Sequence, residues 1–357
     1  MMEWAILAAK VAVVFGAVLN LAALLTWMER KQSALMQDRI GANRATVLGF
    51  RCMGLFHIIA DSLKMFLKED FTPAFGHRFF HLVAPFVSAF CALGAFACIP
   101  FGDVLRLGDR VIDLQVVNTD AAVLFVLALL SFGIYGVFLA GWSSRSKYAV
   151  LGSLRGAAQM LSYEVVLGLS LVGPLMVYGT LNLQEVARAQ GGLLLGFLPS
   201  WGIFLQPVAF LVFLTAGVAE SKRTPFDLPE GESEIIGYFV EYSSMRFGMF
   251  FLTDFIEVIL VGALATHFFL GGWQLPWLGR EGFAFPWGGG LALAPGLVTL
   301  LQVFAYGFKV FFCCWLQLAV RWTLPRFRYD QLMDLCWKFL LPVSLVNIMV
   351  TGFLLTR

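Results

Sequence analysis

The sequence predicts an all-α polytopic membrane protein with about eight transmembrane helices. An amphipathic interfacial helix is expected in the first cytoplasmic loop, and both termini on the outer, periplasmic side. Three observations carry this. Of 357 residues, 59% are apolar and only 13% charged, against roughly half and a quarter in soluble domains, and mean hydropathy is +0.81. Eight apolar stretches approach the roughly 20 residues that a bilayer core about 30 Å thick demands. Basic residues are dense in every second loop and sparse in the others.

The spans fall at 4–28, 79–100, 119–141, 155–178, 200–220, 246–270, 294–320 and 336–355. Glu3 stands where a cleavable signal would be positive, and the following run is a full span long, so a retained first helix is expected. Between 28 and 79, "GLFHIIADSLKMFLKED" places His57, Asp61, Lys64 and Lys68 on one stripe of a helix, with Leu55, Phe56, Ile59, Leu63, Phe66 and Leu67 opposite. Such a helix is too short and charged to span; it either anchors at the surface or lines a portal between lipid and a cytoplasmic partner. Pro85, Pro174 and Pro207 lie inside spans, where each removes a backbone donor and can kink its helix.

Counting Lys and Arg between spans gives 18 in the odd loops against 5 in the even loops and C-terminus, so the odd loops are read as cytoplasmic. Lys10 can snorkel from its span, whereas Lys309 lies deep. No repeat or low-complexity linker divides the chain, which reads as a single domain over 1–357. The six cysteines form no C-x-x-C pair and read as small core residues, and there is no Walker loop, G-x-G-x-x-G or Cys/His cluster. No metal site, nucleotide chemistry or nucleic-acid partner is expected of this chain.

Residues 220–241, "ESKRTPFDLPEGESEIIGYFVE", hold six of the 23 acids in the loop between the fifth and sixth spans. Pro225, Pro229 and Gly231 argue against a continuous helix there, so carboxylates can turn inward; Asp227 is the member expected to stay on a solvated face. Helical rise places Glu164 roughly 13 Å, Asp254 roughly 12 Å and Glu257 roughly 16 Å below the cytoplasmic surface, with Lys309 about 18 Å from Arg321. Ionisable groups at such depth cost free energy unless paired or hydrated. Three acids and one base in one layer, with Glu220 above, either lock the bundle by ion pairs or form a proton relay.

Five segments together resemble one family, the H subunit in the membrane arm of respiratory complex I, the proton-pumping NADH:quinone oxidoreductase. They are "ERKQSALMQDRIGANR" from 29, "ADSLKMFLKED" from 60, "GWSSRSKYAVLGSLRGAAQMLSYEV" from 141, "AESKRTPFDLPEGESEIIGYFVEYSSMRFGMFF" from 219 and "LPRFRYDQLMDLCWKFLLP" from 324. The resemblance implies a membrane protein that builds part of a quinone chamber with hydrophilic neighbours. Quinone would be the substrate, entering from lipid between the first helix, the amphipathic helix and the sixth span. It places Glu29, Arg30, Asp61, Met245 and Phe247 near that entry, and Arg321 and Arg328 near the cytoplasmic mouth. An acidic proton path carries over to Glu164, Glu220, Glu230, Glu232, Glu234, Glu241 and Asp254. Iron–sulfur clusters and FMN would belong to partner subunits. Departures from the family pattern are Ala42 for a usual Pro, the longer connection "ATVLGFRCM", Asp254 for a usual Glu and Arg145 for an uncharged polar residue. The homologous membrane component of a membrane-bound hydrogenase, or another donor's quinone oxidoreductase, is the nearest alternative, and an autonomous transporter a remoter one. The expected location is a bacterial inner membrane, or an organelle inner membrane.

Overall fold

The computed structural model describes all residues except 1, 108–109, 195, 230, 232–234, 236, 281, 287–288 and 357. Its helices are α1 (Met2–Met36), α2 (Phe56–Leu67), α3 (Arg78–Ala95), α4 (Ala122–Ser144), α5 (Lys147–Tyr178), α6 (Leu183–Ala189), α7 (Gly202–Leu205), α8 (Pro207–Glu220), α9 (Ser244–Phe269), α10 (Pro295–Thr323), α11 (Tyr329–Asp334) and α12 (Leu341–Leu355). A π-helical turn, Leu335–Leu340, joins α11 to α12. Among the described residues, seven helical segments are long and apolar enough to cross a membrane, as the all-α polytopic class requires. Three short antiparallel sheets decorate the connections: β1 (Val104–Leu107) with β2 (Arg110–Asp113), β3 (Leu193–Leu194) with β4 (Leu198–Pro199), and β5 (Leu278–Gly279), β6 (Gly282–Ala284) and β7 (Gly290–Ala292).

The fifth predicted span is a broken rod. Pro207 does not kink a continuous helix; it opens α8 at the first helical position, where its missing N–H is no loss. The break at Gln206 is satisfied by α12, since Gln206 Nε2 donates to Thr351 Oγ1 at 2.9 Å and its Oε1 accepts from Asn347 at 3.0 Å. Pro85 and Pro174 do lie inside α3 and α5. Helices α1 and α5 run eight residues past their predicted spans, to Met36 and back to Lys147, a projection of about 12 Å.

Helix α9 is the axis of the bundle: 78% of its apolar span is buried, against 17% for α1 and for the last segment. It packs on α1, α3, α8 and α10, while α5 bridges α4, α8 and α12. Close approach of α3 and α4 needs Gly136, where a Cβ would meet the Ser88 nitrogen at 2.8 Å and the Ala84 carbonyl at 3.0 Å. Ion pairs sort the connections into two ends. Asp103 takes Arg188 at 2.7 Å and Arg280 at 3.4 Å, joining the second, fourth and sixth connections. At the opposite end Arg246 pairs with Asp70 at 3.1 Å, Arg321 with Glu29 at 2.7 Å and Arg326 with Asp227 at 2.9 Å, joining the first, fifth and seventh.

Candidate functional site

At the acidic end the amphipathic helix lies as its pattern predicts, with a polar stripe turned to α1. Asp61 accepts from Arg30 at 2.6 Å. Ser244 and Ser243 donate to the carbonyls of Met65 and Glu69, both at 2.8 Å, and so tie α2 to the start of α9. Between α1, α2 and α9 opens a cavity of about 380 Å³ whose walls include Arg30, Asp61, Met65, Met245, Phe247 and Phe251. Four of the five residues assigned to the entry thus come together in one place.

A second cavity, of about 570 Å³, adjoins it and shares Phe247 and Phe251. These two rings stack with centroids 6.1 Å apart and form the partition. The inner chamber is walled by aromatic rings, among them Tyr238, Phe239, Phe250 and Trp322, and by the charged groups Asp227, Asp254, Arg321 and Arg326. A planar ring bearing carbonyl oxygens suits such a lining, because aromatic faces stack on it and guanidinium groups donate to its oxygens.

Glu29 is not at the portal. It is 14% exposed and held by Arg321 at 2.7 Å and by Arg223 at 3.6 Å, and the Arg223 guanidinium lies 4.1 Å above the Phe255 ring. Arg321 lines the inner chamber, but Arg328 does not; its side chain is 77% exposed and faces Asp330 at 3.4 Å. Arg326, two residues earlier, lines the chamber instead. Asp227, expected on a solvated face, is buried against Arg326. Its carboxyl is raised from 3.8 to about 6, because burial outweighs the arginines Arg326, Arg321 and Arg223, which pull the other way.

Beneath the chamber lies a buried cation that sequence reading passed over. Lys222, 2% exposed, stands 3.0 Å from Asp254 and 3.2 Å from Glu257. Burial alone would push its ammonium down, yet Asp254 and Glu257 together hold it well above the usual lysine range, so it is charged. Asp254 therefore faces both the chamber and Lys222, and Glu257 lies one helical turn deeper on α9. Glu220 is also buried, and neither of its carboxylate oxygens has a hydrogen-bond partner among the described residues. It interacts electrostatically with Glu257 and Glu164. Glu164 accepts from Ser131 on α4. The only hint of Lys222 in the sequence was its position beside Glu220 at the end of a span.

The single layer of three acids and one base does not form. Lys309 instead donates to the carbonyls of Leu270, Gly272 and Gln274 at 2.7, 3.1 and 2.5 Å, closing the C-terminal end of α9, with its ammonium 4.3 Å above the Trp201 ring. Glu241 is not among the residues that line the chamber, and its backbone carbonyl meets the His81 ring at 3.3 Å. Glu230, Glu232 and Glu234 lie outside the described residues.

Fold and site together define a polytopic helical membrane protein in which a cavity between helices leads to a chamber set over a cluster of buried carboxylates. The chain matches the NADH dehydrogenase family over residues 9–352. It is 46% identical over 355 residues to the NADH-quinone oxidoreductase H subunit numbered 1 in Geobacter metallireducens, covering 99% of this chain and 98% of that one. It is 48% identical over 345 residues to the NADH-quinone oxidoreductase H subunit of Thermomicrobium roseum, covering 95% and 93%. With the same-named protein of Flavobacterium psychrophilum it shares 42% over 346 residues, covering 97% and 95%. The chain belongs to the NADH dehydrogenase family, and these relatives of matching length are H subunits of NADH-quinone oxidoreductase.

Proposed function

We propose that this chain is the H subunit of a proton-translocating NADH:quinone oxidoreductase in a bacterial inner membrane, with both termini on the periplasmic side and the acidic end toward the cytoplasm. The observation that carries this reading is the continuity of the site. A portal bounded by α1, α2 and α9 adjoins, across Phe247 and Phe251, a chamber whose lining includes Asp254, and Lys222, Glu257 and Glu220 lie behind it. Quinone is the substrate, and the redox centres that reduce it belong to hydrophilic partner subunits.

In this reading Arg30, Asp61 and Met245 flank the entry, and Arg321 and Arg326 steady the headgroup oxygens. Reduction of a quinone to a quinol takes two electrons and two protons. Negative charge that develops beside Asp254 acts strongly at short range in a poorly screened interior. It shifts the balance by which Lys222 is shared between Asp254 and Glu257, and the change reaches Glu220 and Glu164 as altered proton affinity. Glu230, Glu232, Glu234 and Glu241 belong to the same path on the strength of the resemblance.

Purification in mild detergent tests the assignment. Co-purification with an assembly whose NADH:quinone activity is inhibitor-sensitive supports it, whereas a lone chain that exchanges a solute would refute it. Glu220→Gln and Glu232→Gln should each impair coupled quinone reduction while NADH oxidation by an artificial acceptor is kept. Equal loss of both activities would mean failed assembly. An assembly that reduces quinone with hydrogen instead of NADH would favour the hydrogenase-type alternative.

A further inference from the structure

The longer connection between α1 and α2, "ATVLGFRCM", folds into a tight hairpin that none of the roles above uses. Val47 and Phe50 exchange both backbone bonds, at 3.1 and 2.9 Å. Leu48 and Gly49 turn between them with φ of +50° and +85°, the pair of positive values that a two-residue hairpin turn demands. The hairpin's base is fixed. Gly54, at φ +86°, sits where a Cβ would lie 2.0 Å from the Ala42 carbonyl, and His57 on α2 accepts from the Ala45 N–H at 3.2 Å.

What this fixed base presents outward is apolar. Leu48 is 93% exposed, Phe50 71% and Met53 76%, and Leu55, Ile59 and Leu63, at and along the start of α2 that follows, are exposed as well. Its depth is set by Trp27, whose indole donates to the Met53 carbonyl at 3.1 Å. Trp27 lies near the end of the first apolar span, about one helical turn bilayer-ward of Arg30, at the level where tryptophans gather at membrane surfaces. Arg44 and Arg51 flank the hairpin, both exposed and without an ion pair among the described residues.

We propose that this hairpin is an anionic-phospholipid site. Leu48, Phe50 and Met53 sit at the boundary between headgroups and acyl chains, and Arg44 and Arg51 take lipid phosphates above them. An exposed apolar surface followed in the chain by an interfacial helix is stable there and unstable in water. The site anchors the connection that precedes α2, and so holds the rim of the portal at a fixed depth in the bilayer.

Cys52 gives a direct test, because it is the exposed cysteine of the six and lies at the hairpin's base. The whole assembly carries a nitroxide at Cys52, with a Cys52→Ser assembly as the background, in nanodiscs of phosphatidylcholine with or without phosphatidylglycerol. The expected result is a label more accessible to oxygen than to a water-soluble nickel chelate, and more deeply immersed when phosphatidylglycerol is present. Near an anionic surface each arginine contributes about fivefold to the immersed population, so Arg44→Gln with Arg51→Gln should abolish the response to phosphatidylglycerol. Leu48→Ser with Phe50→Ser should return the label to water. A label open to nickel in both lipids, or closed to both reagents because a partner protein covers it, would overturn the proposal. Neither readout involves quinone turnover, so the outcome is independent of the function proposed above.

Discussion

Replacing Lys222 by Met tests the charge balance on which the proposed coupling rests. The ammonium is buried between carboxylates at 3.0 Å and 3.2 Å. With an effective dielectric constant of about 20, each contact is worth roughly 5 kcal/mol before the opposing cost of desolvation. Removal of one partner from a buried ion pair costs about 3–5 kcal/mol, because the remaining charge is left uncompensated. Lys222→Met leaves Asp254 and Glu257 facing one another without the cation between them, and the cluster regains its former balance only when one unit of negative charge is removed. Per assembled complex, quinone turnover and proton translocation in proteoliposomes should therefore fall by tenfold or more, while NADH oxidation by an artificial acceptor stays at the wild-type rate. The double variant Lys222→Met/Glu257→Gln restores the balance and should recover most of the loss, a coupling that the cycle of single and double variants isolates. Wild-type coupled turnover in Lys222→Met, or losses that simply add in the double variant, would refute the argument.

Three further outcomes follow from the same geometry. Phe251→Trp enlarges the partition between the two cavities; overpacking of about 1–3 kcal/mol should raise the KM for a long-tailed quinone roughly five- to hundredfold and leave a short-tailed analogue nearly unaffected, as steady-state kinetics would show. Asp227 binds its proton more tightly in the folded protein, at about 6 against 3.8, so its favourable contribution to stability is present at low pH, declines between about pH 4 and 6 and is lost above. Asp227→Asn should remove that slope from thermal unfolding measured against pH, and should flatten any inflection near pH 6 in quinone turnover. Lys309→Met strands three carbonyl acceptors at the end of α9; with hydrogen bonds to charged groups worth about 1.5–3 kcal/mol each, it should lower the assembly's thermal midpoint without changing the KM for quinone.

The helices were legible because a span announces itself by length, and α2 because its polar residues recur at helical spacing. The portal was legible through the resemblance alone: matching segments, not spacing, pointed to Arg30, Asp61, Met245 and Phe247, which line one cavity. The cluster beneath the chamber was not. Residue counting gives only the approximate level of a backbone position and not where its side chain ends, and Lys309, counted near the level of the acids, reaches the backbone at the end of α9 instead. Lys222 and Arg326 lie in irregular segments whose path no period describes. Spacing therefore could not pair Lys222 with Asp254 and Glu257, or Arg326 with Asp227. The break at Gln206 was hidden because a proline inside an apolar run reads equally as a kink or as the start of a new helix.

The burial of α9 bears on how the chain is made. Asp254 and Glu257 both lie within its apolar span, and an acidic residue at the centre of a helix opposes insertion by roughly 2.5–3.5 kcal/mol. Their counter-charge precedes them in the chain, 35 residues before Glu257, so it has been synthesised by the time α9 leaves the ribosome. Entry of α9 into the bilayer is then cooperative with the hairpin it forms with α8. A variant lacking Lys222 would therefore be expected to be degraded more at the insertion stage, before any quinone is met, which makes its abundance in the membrane a readout of biogenesis separate from its turnover.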